Sequence, residues 1–262
     1  MNKMRKVLLS GSLLFGAAGA WSGDFPKSAD EITYQWLCSA GGGYTDHIPH
    51  FNHIFSAKKM HTFLEFGLGF ATKFFLDHCD RVISVEFVTN GYGPDWLKEC
   101  LMLYRRAPHW TPIAYFSDYS KDMSWAPLYF VGGKMVSDAC GYQCATHQWY
   151  ALIDDSYLKE LDGFISNIID ETPVDIAFVD AGIYLRGDLV QLLFGKVPLI
   201  LAHDCPRTPG DKDDVYGYCR VKPPADYEEI TIRTGKNTTI WIRQNEELRE
   251  LSTLLKRYAA IF

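Results

Sequence analysis

A surplus of basic residues is missing from this chain: 26 Lys and Arg stand against 32 Asp and Glu in 262 residues, a formal net charge of -6. No general positive field concentrates a polyanion, so nucleic acid is not expected as a partner. Long apolar runs are equally scarce. The longest uncharged run of apolar character, Val7 to Trp21, has about 15 residues, short of the ~20 that a membrane-spanning helix needs. None of the seven cysteines (Cys38, Cys79, Cys100, Cys140, Cys144, Cys205 and Cys219) stands in a Cys-x-x-Cys pair, which removes the pattern of a zinc ribbon or a thioredoxin-like site. Internal repeats and low-complexity stretches are also missing. With 47% hydrophobic residues, the chain has the apolar content that disordered and collagen-like sequences lack.

What is present begins at the N-terminus. Lys3, Arg5 and Lys6 precede the Val7 to Trp21 run, which closes on Ala18-Gly19-Ala20. A charged start, a short apolar middle and an A-x-A cleavage pattern are the three parts of a secretory signal peptide. Residues 1–20 are therefore expected to be a leader, with an exported mature chain from about Trp21 and no stable membrane span after cleavage. An ordinary N-terminal helix, and with it a cytoplasmic address, is the alternative. Export would permit disulfides, and the odd cysteine count leaves at least one thiol unpaired in a monomer. Cys140 and Cys144 are close enough in sequence to close a small loop.

Residues 60–262 read as one α/β domain, preceded by a cover segment over 21–59. Buried strands are expected at 61–66, 81–86, 112–116, 174–180 and 197–204, with helices at 71–78, 94–104, 151–169 and 185–194 between them. Two alternating segments, 227–234 and 238–243, flank Gly235-Lys236-Asn237 as a hairpin, and a charged helix follows over 246–258. Together these make a Rossmann-like, doubly wound, mixed seven-stranded sheet with helices on both faces and a C-terminal antiparallel hairpin. The stretch from about 119 to 148 breaks the period; its Gly, Tyr, Trp and Met content reads as an insertion or lid.

The first expected strand runs into Gly67-Leu68-Gly69, and the second closes on Glu86. Glycines let backbone approach a ligand at a helix N-terminus, and a carboxylate one strand over is placed to accept two ribose hydroxyls. A full GxGxxG dinucleotide fingerprint would need glycine where Thr72 stands. A nicotinamide-dependent oxidoreductase is the weaker reading for that reason, and because its Tyr-x-x-x-Lys spacing occurs only at Tyr218 and Lys222, directly before Pro223-Pro224.

With Glu65 two residues before the GxG turn and Glu86 closing the next strand, the chain resembles the class I S-adenosylmethionine-dependent methyltransferases over about residues 45–245. Ala71 replaces a frequent third glycine. The resemblance implies that Gly67 and Gly69 border the methionine part of the cofactor with Glu65 nearby, that Glu86 holds the ribose, and that Asp118 approaches the adenine.

A second group of candidates lies at the ends of the fourth and fifth expected strands, Asp180 and His203-Asp204, where open α/β sheets place ligands. These segments are similar to the metal-binding segments of small-molecule O-methyltransferases. That similarity implies Asp180 and Asp204 as ligands of a divalent ion such as Mg2+, which would hold a hydroxyl substrate and lower its pKa. Cys205 stands where that family has Asn, and a thiol is a poor magnesium ligand. Without metal, His203 is the expected general base, oriented by Asp180 or Asp204, since an imidazole near pKa 6.5 can remove a hydroxyl proton. His47, His50 and His53 form a triplet, but Pro49 is expected to interrupt its first turn, so a three-histidine metal site is not expected. The expected function is S-adenosylmethionine-dependent O-methylation of a small-molecule or sugar hydroxyl. The alternative is an exported binding protein that keeps the fold without turnover.

Overall fold

The computed structural model describes residues 26–40, 45–87, 93–115, 155–181, 185–206 and 216–262. The leader, Asp118, the 119–148 insertion and its cysteines lie outside the described residues. Among the described residues no helix is long and apolar enough to cross a membrane, and Cys38, Cys79, Cys100 and Cys205 are free thiols.

Seven strands form one sheet: β1 (Thr62–Phe66), β2 (Arg81–Phe87), β3 (Trp110–Tyr115), β4 (Ile176–Val179), β5 (Leu199–Cys205), β6 (Tyr227–Ile232) and β7 (Asn237–Arg243). Their order is β3-β2-β1-β4-β5-β7-β6. The first five run parallel, while β7 is antiparallel to both β5 and β6. This is the doubly wound mixed sheet with a terminal hairpin that the sequence predicts. The helices are α1 (Tyr34–Ala40), α2 (Ile48–Ala57), α3 (Thr72–His78), α4 (Gly93–Tyr104), α5 (Asp155–Glu171), α6 (Arg186–Leu193) and α7 (Arg249–Ala259).

Strand parity sorts the core into two layers. Leu64, Phe66, Ile83, Val85, Ala177, Val179 and Ile200 pack with Leu161 and Ile165 of α5 and with Leu189 and Leu193 of α6. The alternate residues Phe63, Val82, Ile176, Phe178, Leu199 and Leu201 pack with Phe51 of α2, Phe75 of α3 and Leu255 of α7. Each such fully buried aliphatic or phenyl side chain stabilises by about 1.5–3 kcal/mol relative to exposure. The same parity puts Glu65, Ser84, Glu86, Asp180 and His203 on the α2/α3 side.

Two local expectations change. Strand β3 begins at Trp110, two residues before the expected start, with Pro112 inside it opposite Ser84. β3 is the sheet edge and pairs only with β2, so the missing proline N–H removes no bond on a second side. Pro49 does not interrupt the histidine segment either; it lies in the first turn of α2, where backbone N–H groups have no intrahelical acceptor anyway.

A glycine in α6 is needed for packing. A Cβ at Gly187 would lie 2.2 Å from the carbonyl oxygen of Gly217, a backbone atom that cannot swing away. Gly187→Ala is expected to lower stability by roughly 2–4 kcal/mol. Gly163→Ala in α5, where a Cβ meets nothing within 4 Å, should be neutral or stabilising by up to about 1 kcal/mol. Urea denaturation of the two variants checks this, and equal midpoints would contradict it.

Candidate functional site

The connections of the sheet reverse direction between β1 and β4, the position where open α/β sheets hold ligands. Gly67 follows β1 there with a φ of +103°, and a Cβ on it would stand 2.5 Å from the carbonyl oxygen of Asp180. Both its left-handed backbone and its closeness to the end of β4 therefore require glycine. A Cβ at Gly69, by contrast, would find only Trp96 at 3.9 Å.

The turn between the two glycines is pinned from several sides. Glu86 Oε2 accepts the Leu68 N–H at 2.9 Å, Trp96 Nε1 donates to the Leu68 carbonyl at 2.6 Å, and the Tyr104 hydroxyl donates to the Gly69 carbonyl at 2.8 Å. Thr72 occupies the position where the dinucleotide fingerprint has glycine. Its Oγ1 accepts the Gly69 N–H at 3.1 Å and donates to Glu65 Oε1 at 2.8 Å. Ser84 donates to the same Glu65 oxygen while accepting from Trp110 Nε1 at 2.8 Å. Glu65, 1% exposed, thus anchors the turn from beneath. Burial pushes its carboxyl up to about 8 against the lowering effect of the two hydroxyls. Burial likewise raises Glu86 to about 7, opposed by the Leu68 N–H. Among the described residues, nothing donates to the second oxygen of Glu86.

The candidates on β4 and β5 come together, around a residue the sequence did not single out. Arg186, 5% exposed at the start of α6, places Nη1 2.7 Å from Asp180 Oδ1 and 3.2 Å from Asp204 Oδ2. Its Nε donates to the Ala181 carbonyl and its Nη1 to the His203 carbonyl, and its guanidinium lies 3.9 Å over the Tyr216 ring. Lys236, from the β6–β7 turn, reaches Asp204 Oδ1 at 2.8 Å. Asp204 itself has a φ of 58° at an irregularity in the β5–β7 pairing, a left-handed conformation that Asp tolerates. Burial opposes the charge of Asp180, but Arg186 and His203 outweigh it and hold the carboxyl well below the usual range.

His203 differs from its expected role. It is 2% exposed, with Nε2 2.6 Å from Asp46 Oδ1 and Nδ1 3.5 Å from Asp180 Oδ1. Burial disfavours the imidazolium, but Asp180 and Asp46 prevail and raise its pKa to about 9. A protonated ring flanked by two carboxylates holds a proton rather than taking one, which does not suit a general base at neutral pH. Asp46 Oδ2 also accepts the Lys236 N–H at 2.7 Å, so the 21–59 cover segment is tied to both β5 and the hairpin.

Of the histidine triplet, only His47 reaches this group. Its ring centroid lies 4.7 Å from those of His203 and Phe178, it is buried with neither nitrogen hydrogen-bonded, and burial with the nearby His203 keeps its pKa well below 6.5. His50 and His53 turn to Tyr258 instead, by a 3.1 Å hydrogen bond and by stacking.

These residues do not fit a divalent ion between Asp180 and Asp204, because the guanidinium of Arg186 already bridges their oxygens. Cys205 is no ligand either: its buried thiol donates to the Ala202 carbonyl, and burial pushes it up to about 12. Arg186, Asp46 and Lys236 escaped sequence reasoning because a buried Arg or Asp looks like any surface charge in a sequence. The one available signal is that Lys236 sits in the predicted hairpin turn.

The His203 shift has a fixed sign. Its pKa in the fold lies above its free value of about 6.5, so the network's stabilisation is complete below pH 6.5 and is lost as pH rises through about 9. The stability gap between the native protein and His203→Gln is therefore expected to shrink over that window by on the order of 3 kcal/mol. Denaturant titrations at pH 6, 7.5 and 9 would measure it, and a constant gap would contradict the assignment.

No protein-family model and no curated protein matches the chain. Among solved structures it is similar to the O-methyltransferase of Bacillus cereus in complex with SAH, at 12% identity and a TM-score of 0.45 over 84% of this chain and 92% of that one. It is also similar to the O-methyltransferase TomG of Streptomyces achromogenes in complex with SAM, at 11% identity and a TM-score of 0.46 over 85% and 92%. A third is the SAH-bound methyltransferase PaMTH1 of Podospora anserina, at 13% identity and a TM-score of 0.43 over 90% and 100%. These are likenesses of chain path; the functional reading rests on the residues of the site.

Proposed function

We propose that this chain binds S-adenosylmethionine at the β1–β2 end of the sheet and transfers its methyl group to a hydroxyl of a small molecule or sugar. The observation that carries the reading is Glu86: a buried carboxylate one residue before the end of β2, with one oxygen on the Leu68 N–H of the glycine turn and the other without a donor among the described residues. That arrangement presents an acceptor for ribose hydroxyls beside backbone stripped of side chains at Gly67 and Gly69. The cofactor supplies an electrophilic methyl group on a sulfonium; Asp118 is assigned to the adenine by the family resemblance. The chain's contribution to transfer is chiefly positioning, in which alignment of acceptor and methyl can supply several kcal/mol.

A binding protein without turnover is the second reading, and the placement of His203 favours it, since the expected base is a buried imidazolium. The leader reading of residues 1–20 accompanies either one. Amino-terminal sequencing of the protein from its own cells should then begin near Trp21; a start at Met1 would remove the leader.

Calorimetric titration of the folded protein with S-adenosylmethionine and S-adenosylhomocysteine, with NAD as the control, tests cofactor binding. Saturable binding of the first two is expected. Loss of a charged hydrogen-bond acceptor is worth about 1.5–3 kcal/mol, so Glu86→Ala should weaken binding about 10- to 100-fold. Binding of NAD alone, or of none of the three, overturns the proposal. Methyl transfer from labelled cofactor to a panel of hydroxylated acceptors then separates enzyme from binding protein.

A further inference from the structure

We propose that Arg186 is the resident cation of the acceptor side of this site, standing where a divalent metal would bind and closing Asp180 and Asp204 to metal. The inference rests on the methyltransferase reading only in calling this the acceptor side.

Asp180 and Asp204 both reach the Nη1 atom of Arg186, at 2.7 and 3.2 Å, so the two carboxylates converge on a nitrogen instead of an open coordination position. A hard cation such as Mg2+ or Mn2+ needs several oxygens around a shared point. The guanidinium is held there by three further contacts on its own side. Its Nε is on the Ala181 carbonyl, Nη1 is on the His203 carbonyl and the plane lies against Tyr216, while the Tyr218 hydroxyl donates to that same His203 carbonyl at 2.8 Å. Because Arg cannot lose its proton in a protein, the cation is permanent.

Charge count supports the same conclusion. Among the described residues, Asp180 and Asp204 carry two negative charges, and Arg186 and Lys236, paired with them at 2.7 to 3.2 Å, carry two positive ones. Two carboxylates already matched by two cations offer a divalent ion no net attraction, and inserting one would leave Arg186 buried beside it. The neighbouring trio Asp46, His47 and His203 is similarly closed, since Asp46 Oδ1 and His203 Nε2 share a hydrogen bond at 2.6 Å. The role assigned to Arg186 is that of a positioning residue, orienting Asp180 and the end of β5 without metal.

Titration of the folded, metal-stripped protein with Mn2+, followed by electron paramagnetic resonance and by the shift of the thermal midpoint, provides the test. Wild type is expected to show no saturable Mn2+ binding below about 1 mM and no midpoint shift. Arg186→Ala uncovers the two carboxylates and should bind Mn2+ and gain midpoint in its presence, whereas Arg186→Lys, which keeps a cation there, should bind less than Arg186→Ala. One Mn2+ bound per wild-type chain and lost in Asp180→Asn overturns the proposal, as does a folded Arg186→Ala protein indifferent to Mn2+. Should Arg186→Ala fail to fold, the wild-type and Asp180→Asn titrations decide by themselves. Failure of S-adenosylmethionine to bind would sink the proposed function while leaving the Mn2+ result standing.

Discussion

A side chain at position 67 would place its Cβ 2.5 Å from the carbonyl oxygen of Asp180, and the rest of the ligand end depends on that close passage of β1 past β4. The Asp180 N–H donates to the Phe66 carbonyl and the Gly67 N–H to the Val85 carbonyl, both at 2.9 Å, so the three central strands end in register around one point. From there the chain must turn with a positive φ. Its Leu68 N–H meets Glu86 on one side, while Asp180 stands on the other. A bulkier residue would move both carboxylates relative to the turn. Gly67 therefore serves the protein's own packing as much as any ligand, a role that a fingerprint match alone does not separate.

The second constraint is electrostatic. Taking a charge out of water costs several kcal/mol unless it is paired and hydrogen-bonded. Arg186 and His203 are almost fully buried, and they are tolerated because Asp180, Asp204 and Asp46 face them from β4, β5 and the N-terminal cover. Removing any one partner leaves another charge uncompensated, so the groups act together. The arrangement also joins elements distant in sequence: Asp46 links the cover to β5 and to the hairpin turn, and Lys236 links the hairpin to Asp204. The glycine turn and the Asp180–Asp204 end are thereby built differently, the first from backbone groups and neutral hydroxyls around Glu65 and Glu86, the second from opposed charges.

Much of this was legible beforehand. The alternation of Phe63, Leu64, Phe66, Val82, Ile83 and Val85, and the hairpin around Gly235, predict the sheet, because burying one side chain in two along a strand is a local requirement. The ends of β1, β2, β4 and β5 were legible as well, since glycine and carboxylates interrupt apolar runs there. The errors came where tertiary position overrides local preference. Pro112 is accommodated because β3 is an edge, and Pro49 because it falls in a first turn.

Strand and helix order, the glycine turn, and the presence of Glu65, Glu86, Asp180, His203 and Asp204 at strand ends can all be read along the chain, since each follows from periodicity within a few residues. The partners of those groups come from the folded chain. His203 stands between Asp46 and Asp180, and Arg186 between Asp180 and Asp204, because charge pairing is set by neighbours brought from 5 to 157 positions away. Periodicity carries no record of those neighbours.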